Sequence, residues 1–305
     1  MKKKLLKDYI LVAIKGLGMG AADVVPGVSG GTIAFITGIY EELLNSIKSI
    51  DFKAIKLFFT FKWKSLWEKC NLGFLVSLFI GILISIFSLA KGVTYLLQNE
   101  PIGIWSFFFG LVLASTIIVL RKIKKINWQG ILGMIIGAIV AYYITLAVSA
   151  QTPDDLWFIF LSGVIAICAM ILPGISGSFI LVLLGKYEYI INAMDEMNLL
   201  VLFVFAIGAL LGLLSFARFL SWLFKKYHDV TIFILAGFML GSLNKVWPWK
   251  EIVSQNSMVE RNILPTTFQE LGGNSQFGLA ITSAFLGIAI ILGIEWLSAR
   301  KSKNS

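Results

Sequence analysis

Stretches of apolar residues, each about 20 long, recur along the chain, and most of the lysines and arginines collect in the short loops that divide them. A run of that length, coiled as a helix, crosses the ~30 Å of hydrocarbon in a bilayer, and none of the runs alternates apolar with polar residues as barrel strands do. The fold class expected is an all-α integral membrane protein. Composition agrees: of 305 residues 58% are apolar and 14% charged, outside the range of a soluble domain. The net charge of +9 would suggest nucleic acid in a soluble chain. Here topology explains the basic loops better, and no nucleic-acid partner is expected. Cys70 and Cys168 fall in different halves, one at the cytoplasmic interface and one inside the bilayer, so no disulfide is expected. The basic, then apolar N-terminus has the look of a signal peptide, but Lys15, Asp23 and a repeated motif begin within it, and it reads as retained.

That motif occurs twice, as Val25-Pro26-Gly27-Val28-Ser29-Gly30-Gly31 and as Leu172-Pro173-Gly174-Ile175-Ser176-Gly177-Ser178. The match runs on through Gly38/Gly185, Tyr40/Tyr187, Glu41/Glu188 and Asn45/Asn192, all at a spacing of 147 residues. Proline lacks an amide hydrogen and rejects a helical residue before it, so a helix must break at each copy. A new helix can restart with Ser29 or Ser176 as its N-cap, leaving first-turn amides that favour an anion.

Residues 9–47 then form one helical hairpin whose flanks are both basic, with Lys2, Lys3, Lys4 and Lys7 before it and six lysines between Lys48 and Lys69 after it. By the positive-inside rule both flanks are cytoplasmic, so the hairpin is read as re-entrant, with its bare backbone tolerated only against protein or a wet cavity. Residues 51–70 mix aromatics with lysines as a helix on the inner membrane surface does. Three crossings follow, at 73–97, 102–120 and 129–149. The second half repeats the plan from the other face: a hairpin at 156–194, crossings at 199–224, 230–247 and 277–297, and an external loop at 249–276. A second spacing, 127 residues, links Gly81/Gly208, Lys91/Arg218, Gly110/Gly237 and Ser115/Ser242. The organisation expected is an inverted repeat of residues 1–150 and 151–305, each a re-entrant hairpin plus three transmembrane helices, with both termini cytoplasmic and a site near the midplane.

Charges at depth are functional candidates by default. Lys91 and Arg218 are repeat mates that offer cations to one anion, although either could instead snorkel to the headgroups. Asp23 and Lys15, eight residues apart on roughly one face, form either a structural pair or a proton-coupling pair. Glu41 and Glu188, at the membrane interfaces, are further coupling candidates, and a coupling proton or sodium ion is a candidate partner. Gly16, Gly20 and Gly27 can serve close helix packing instead of a ligand. The one histidine, His228, stands in a basic loop, and the sequence has neither paired catalytic carboxylates nor metal-ligand spacing. No enzyme activity, cofactor or metal is expected.

The stretch Gly18-Met19-Gly20-Ala21-Ala22-Asp23-Val24-Val25-Pro26-Gly27-Val28-Ser29-Gly30-Gly31-Thr32, with the second motif copy and Gly185-Lys186-Tyr187-Glu188, resembles the bacterial polyprenyl-phosphate transporter family. The resemblance implies a flippase of the bacterial cytoplasmic membrane that returns undecaprenyl phosphate, a lipid carrier of cell-envelope precursors, from the outer to the inner leaflet. Its headgroup would meet Ser29, Gly30, Gly31, Thr32, Ser176, Gly177, Ser178 and Arg218, with Lys91 as the mirror of Arg218. Spacing and composition by themselves leave open a small-anion channel or exchanger, and more remotely a lipid-phosphate hydrolase.

Overall fold

The computed structural model describes residues 5–25, 28–254 and 259–303. The break at Pro26 and Gly27, like Lys2, Lys3 and Lys4, lies outside the described residues. The chain is helical almost throughout. Helix α1 (Leu6–Asp23) leads to α2 (Gly30–Ile36) and α3 (Tyr40–Lys48), and then to two short helices, α4 (Phe52–Phe59) and α5 (Trp63–Lys69). Three long apolar helices follow, α6 (Leu72–Asn99), α7 (Pro101–Leu120) and α8 (Trp128–Leu146). The series resumes with α9 (Leu156–Ile171), α10 (Gly177–Leu183), α11 (Tyr187–Asp195), α12 (Leu199–Lys226) and α13 (His228–Ser242). A two-stranded antiparallel hairpin, β1 (Lys250–Ser254) and β2 (Val259–Asn262), precedes α14 (Pro265–Glu270) and the last helix, α15 (Phe277–Lys303).

The repeat seen in the sequence recurs in the element boundaries. Helices α2 and α10, and α3 and α11, start and stop 147 residues apart, while α6 and α12 share both boundaries at a spacing of 127. The second arm of each hairpin, expected as one helix, is two. Gly38 (φ +73) and Gly185 (φ +64) take the left-handed conformation that ends a helix without a Cβ penalty. The amides of Gly38 and Ile39, and of Gly185 and Lys186, close the preceding helices on carbonyls three and five residues back.

Among the described residues five helices, α6, α7, α8, α12 and α15, are long and apolar enough to cross a bilayer. The segment 230–247, expected as a sixth crossing, forms a helix too short to count among them. Helix α13 has 15 residues, about 22 Å of rise, because the chain turns at Leu243 and is anchored by its tryptophans. Trp247 Nε1 donates to the Ile263 carbonyl and Trp249 Nε1 to that of Ser275, each at 2.9 Å.

Helices pack in four long pairs: α1 with α6, α9 with α12, α7 with α15, and α8 with α13. Repeat-related glycines set the distance in each pair. A Cβ on Gly81 would lie 2.0 Å from the Ala13 carbonyl oxygen, and one on Gly208 2.1 Å from that of Phe160. On Gly110 and Gly237 it would lie 2.1 Å from the Ala284 oxygen and 2.2 Å from that of Met134. Backbone oxygens cannot rotate away, so Gly110→Ala is expected to push α7 off α15 and lower stability by about 1–3 kcal/mol. Thermal unfolding in detergent checks this, with Gly92→Ala, where a Cβ meets nothing within 4 Å, as the silent control.

The segment 51–70, expected as one surface helix, forms two, α4 and α5, with Phe52, Phe58, Phe59, Trp63 and Trp67 exposed. Asp51 caps α4 by accepting from the Ala54 amide at 2.9 Å, and the Lys69 ammonium lies 2.6 Å from the same carboxylate oxygen. The Lys69 hydrogen bond, with the Ala54 amide, holds the Asp51 carboxyl down at about 2. A carboxyl depressed by folding contributes stability above its ordinary value of 3.8, lost as pH falls towards 2. Lys69→Met is expected to move the Asp51 titration midpoint back up towards 3.8, as carbon-13 NMR of the side-chain carboxyl would report.

Candidate functional site

The two motif copies, 147 residues apart in sequence, touch. Ser29, fully buried, accepts from the Gly31 amide at 3.1 Å as the N-cap of α2, and its hydroxyl donates to the Met170 carbonyl at 3.1 Å. Thr32 Oγ1 accepts from the Gly174 amide at 3.0 Å, and the Tyr40 hydroxyl donates to the Ile171 carbonyl at 3.1 Å. Gly31 is set so closely on α9 that a Cβ there would lie 2.6 Å from the Ile171 oxygen. Gly174 (φ +91) is pressed against α13, where a Cβ would fall 2.7 Å from Ser242 Oγ. The start of α2 is thus seated on the end of α9, with the second motif wedged between them and α13.

The copies differ in what they do with their helix starts. In the first, the Asp23 carboxylate accepts from the Gly30 amide at 2.7 Å and Ser29 takes that of Gly31, so protein oxygens already occupy the anion position. In the second, the residue matching Asp23 at the 147 spacing is Met170, which brings no charge. Ser176 does not cap α10 as expected, and its hydroxyl lies 2.7 Å from that of Ser178. Two hydroxyls bonded to each other retain lone pairs and a donor for a third group. Gly177 is needed for packing, since a Cβ there would lie 2.7 Å from the Ala166 oxygen.

The charged candidates are spread wider. Lys15 donates to the Thr37 carbonyl at 2.7 Å and Lys122 to that of Phe35 at 3.3 Å, so both cap the end of α2, where helix carbonyls favour cations. Arg218 donates to the Leu214 carbonyl at 3.0 Å and to that of Ile50 at 2.7 Å, and among the described residues no bond joins it to either motif. Nearby, Lys48 donates to Ser221 Oγ at 3.1 Å and Ser221 to Asn45 Oδ1 at 2.9 Å, a polar seam between α3 and α12. Lys91 is exposed on α6. Glu41 is exposed with its carboxylate 3.4 Å from His228 Nε2, and Glu188 is exposed in the first turn of α11. The packing reading holds for Gly16 and Gly20, whose Cβ atoms would lie 2.3 and 2.7 Å from carbonyl oxygens of α6. Gly27 lies outside the described residues.

Three lysines to which the sequence assigns no role make well-defined contacts. Lys186, with its side chain 2% exposed, donates to the Thr152 carbonyl at 2.8 Å and pairs with Asp154. The signal was available, because the same position in the first copy is Ile39. Lys245 and Lys250 lie in and beside the loop assigned to the outer face, where the positive-inside rule expects few cations. Their ammonium groups converge on Glu260 Oε2, at 3.4 and 3.0 Å.

The profile of a family described as undecaprenyl phosphate translocase-like matches residues 19–262. The chain is 46% identical over 297 residues to a polyprenyl-phosphate transporter of Vibrio cholerae serotype O1, with 94% of this chain and 96% of that protein covered. It is 32% identical over 256 residues to a polyprenyl-phosphate transporter of Staphylococcus aureus, covering 77% of this chain and 85% of that one. No solved structure matches. These relatives are named as transporters and not for any catalysed reaction, in keeping with the five apolar helices. A duplicated Pro-Gly-(Val/Ile)-Ser-Gly motif, each copy hydrogen-bonded to a residue flanking the other inside a bundle of apolar helices, is therefore carried by a member of the undecaprenyl phosphate translocase-like family.

Proposed function

We propose that the protein is a flippase that returns undecaprenyl phosphate from the outer to the inner leaflet of the bacterial cytoplasmic membrane for cell-envelope synthesis. Its two halves form an inverted repeat with re-entrant hairpins, 1–150 and 151–305, and both termini are cytoplasmic. The observation that carries this reading is the direct contact of the two motif copies, which puts residues from both halves at one point, as a midplane site between inverted repeats requires. The phosphate meets the Ser176 and Ser178 hydroxyls beside Gly177. Ser29, Gly30, Gly31 and Thr32 hold the opposite wall, where Asp23 already supplies the negative charge.

Asp23 is then the coupling carboxylate: neutralising it by a proton or sodium ion would free the Gly30 amide for the substrate. Lys15, Glu41 and Glu188 remain secondary coupling candidates. Arg218 and Lys91 are repeat-related cations at the two mouths. Arg218 is tied to Ile50 in the seam where α3 packs on α12, whereas α11 makes no comparable packing on α6, where Lys91 stands exposed. That asymmetry supports a state closed on the basic side and accessible from the other.

The test is translocation of a fluorescent short-chain polyprenyl phosphate in proteoliposomes, scored by loss of access to an external quencher. Wild-type protein is expected to move the probe, and Ser176→Ala with Ser178→Ala to slow it about tenfold or more, since each lost bond to a charged group is worth about 1.5–3 kcal/mol. Arg218→Ala is expected to abolish movement while the protein still inserts. Flux of chloride or inorganic phosphate without movement of the lipid would replace this reading with a small-anion channel.

A further inference from the structure

The pair Lys245 and Lys250 does more than close a loop. Lys245 follows α13 and its ammonium stands 4.9 Å from the centre of the Phe179 ring, in the first turn of α10 and next to Ser178. Lys250 begins β1 and lies over the Trp105 ring of α7 at 4.5 Å, while also donating to the Lys245 carbonyl at 2.9 Å. One carboxylate, Glu260, serves both ammonium groups and is itself 42% exposed, whereas the lysine side chains are only 21% and 12% exposed. Two largely desolvated cations sharing one accessible anion leave an excess positive charge that a more highly charged group would satisfy better. Burial lowers the pKa of Lys250 against the pull of Glu260, while Glu260 is raised by burial and lowered further by the two lysines, for a net downward shift.

A cavity of about 670 Å³ opens close by, lined by apolar residues such as Phe109, Leu240, Leu243 and Trp247 and also by Glu251 and Arg261, which face each other across the β1–β2 pair. Phe109 lies one helical turn along α7 from Trp105, and its ring is 5.6 Å from that of Trp247, which in turn is 5.7 Å from Trp249. The volume falls within the range of small-molecule sites, about 300–1,000 Å³. A charged head beside a chamber with an apolar wall fits an amphiphile with a single anionic end.

We propose that Lys245 and Lys250 form an entry site for a phosphate monoester carried on an apolar chain, with the first carbons of that chain in the neighbouring cavity and Glu260 as the counter-ion that the phosphate displaces. This deepens the flippase reading and rests on it: the entry site hands the headgroup to Ser178 by way of Phe179.

The experiment measures binding of geranyl phosphate, geraniol and inorganic phosphate to the purified full chain in detergent by isothermal calorimetry, alongside the proteoliposome assay. Wild type is expected to prefer geranyl phosphate to both controls. Lys245→Gln with Lys250→Gln should weaken geranyl phosphate about tenfold or more, one lost charge-assisted contact being worth that much. Glu260→Gln should tighten it, because the competing anion is gone. Phe109→Ala should weaken geranyl phosphate and leave inorganic phosphate unchanged. The inference is overturned if the lysine variants bind with wild-type affinity, if geraniol binds as well as its phosphate, or if Glu260→Gln weakens binding. Glu260→Gln, a change at an exposed carboxylate, decides the matter even where the lysine double variant does not fold. Wild-type protein that fails to move polyprenyl phosphate in the parallel assay counts against the flippase reading, while normal movement with unaltered binding in the variants counts against the entry site alone.

Discussion

Gly31→Val is expected to abolish transport and to leave a protein that unfolds well below the wild-type midpoint. Even a methyl group at Gly31 would lie 2.6 Å from the Ile171 carbonyl oxygen and 3.1 Å from Ser29 Oγ. The start of α2 would have to lift off α9, and three bonds span that junction: Ser29 to Met170, Gly174 to Thr32, and Tyr40 to Ile171. Overpacking costs about 1–3 kcal/mol, and each of the three bonds about 1 kcal/mol more. The sum, about 4–6 kcal/mol, rivals the whole stability of many folded domains. Gly38→Ala is the matched control, since it imposes a positive φ on alanine where nothing lies within 4 Å. It should cost about 1 kcal/mol and spare transport. Thermal unfolding and proteoliposome translocation, measured on both variants, separate the two outcomes. A Gly31→Val protein as stable and active as Gly38→Ala would show that the contact between the motifs is dispensable.

The second large effect is expected at Lys186. Its side chain is 2% exposed and its ammonium reaches the Thr152 carbonyl and Asp154, whose carboxylate is 64% exposed. The rings of Phe158 and Tyr189 flank the ammonium at 5.6 and 5.5 Å. These groups tie the turn between α10 and α11 to the segment that enters α9. Lys186→Met keeps the length and apolar stem but deletes both charge-assisted bonds, for an expected loss of about 2–3 kcal/mol. Asp154→Asn should cost less than Lys186→Met, because the carboxylate is well hydrated and the Thr152 carbonyl and both rings still receive the ammonium. Unfolding midpoints of the two variants test the order. If Asp154→Asn proved the more damaging, a buried ammonium left without its counter-ion would cost more than losing the ammonium with all its contacts.

How much of this was written in the sequence depends on the range of the interaction concerned. The break and restart at Ser29, the three crossings after the first hairpin, and the repeat at 147 and 127 residues follow from local rules of proline, glycine, capping and apolar length. The same rules do not give the split of each second arm at Gly38 and Gly185, because the repeat marks both glycines without marking either as a left-handed helix end. Nor do they end the helix at 230–247 early, since an apolar run does not announce that Trp247 and Trp249 will be drawn to Ile263 and Ser275.

At the site, the sequence marked both motif copies and could not say that they touch, nor that they are unequal. Asp23 is seven residues from Gly30 and on another helix, and only the packing of α1 against α2 brings carboxylate to amide at 2.7 Å. Arg218 and Ile50, or Lys250 and Trp105, are farther apart still in the chain. The sequence by itself determined an apolar helical chain in duplicate, with its serines and glycines at fixed offsets, because periodicity, chain length and backbone stereochemistry act over a few residues. Only the tertiary structure decided which helix start keeps its hydroxyls available and which lysines share a counter-ion. Those outcomes depend on which buried polar groups find each other across the bundle, and each must be satisfied by whatever the packing of distant segments places within about 3 Å.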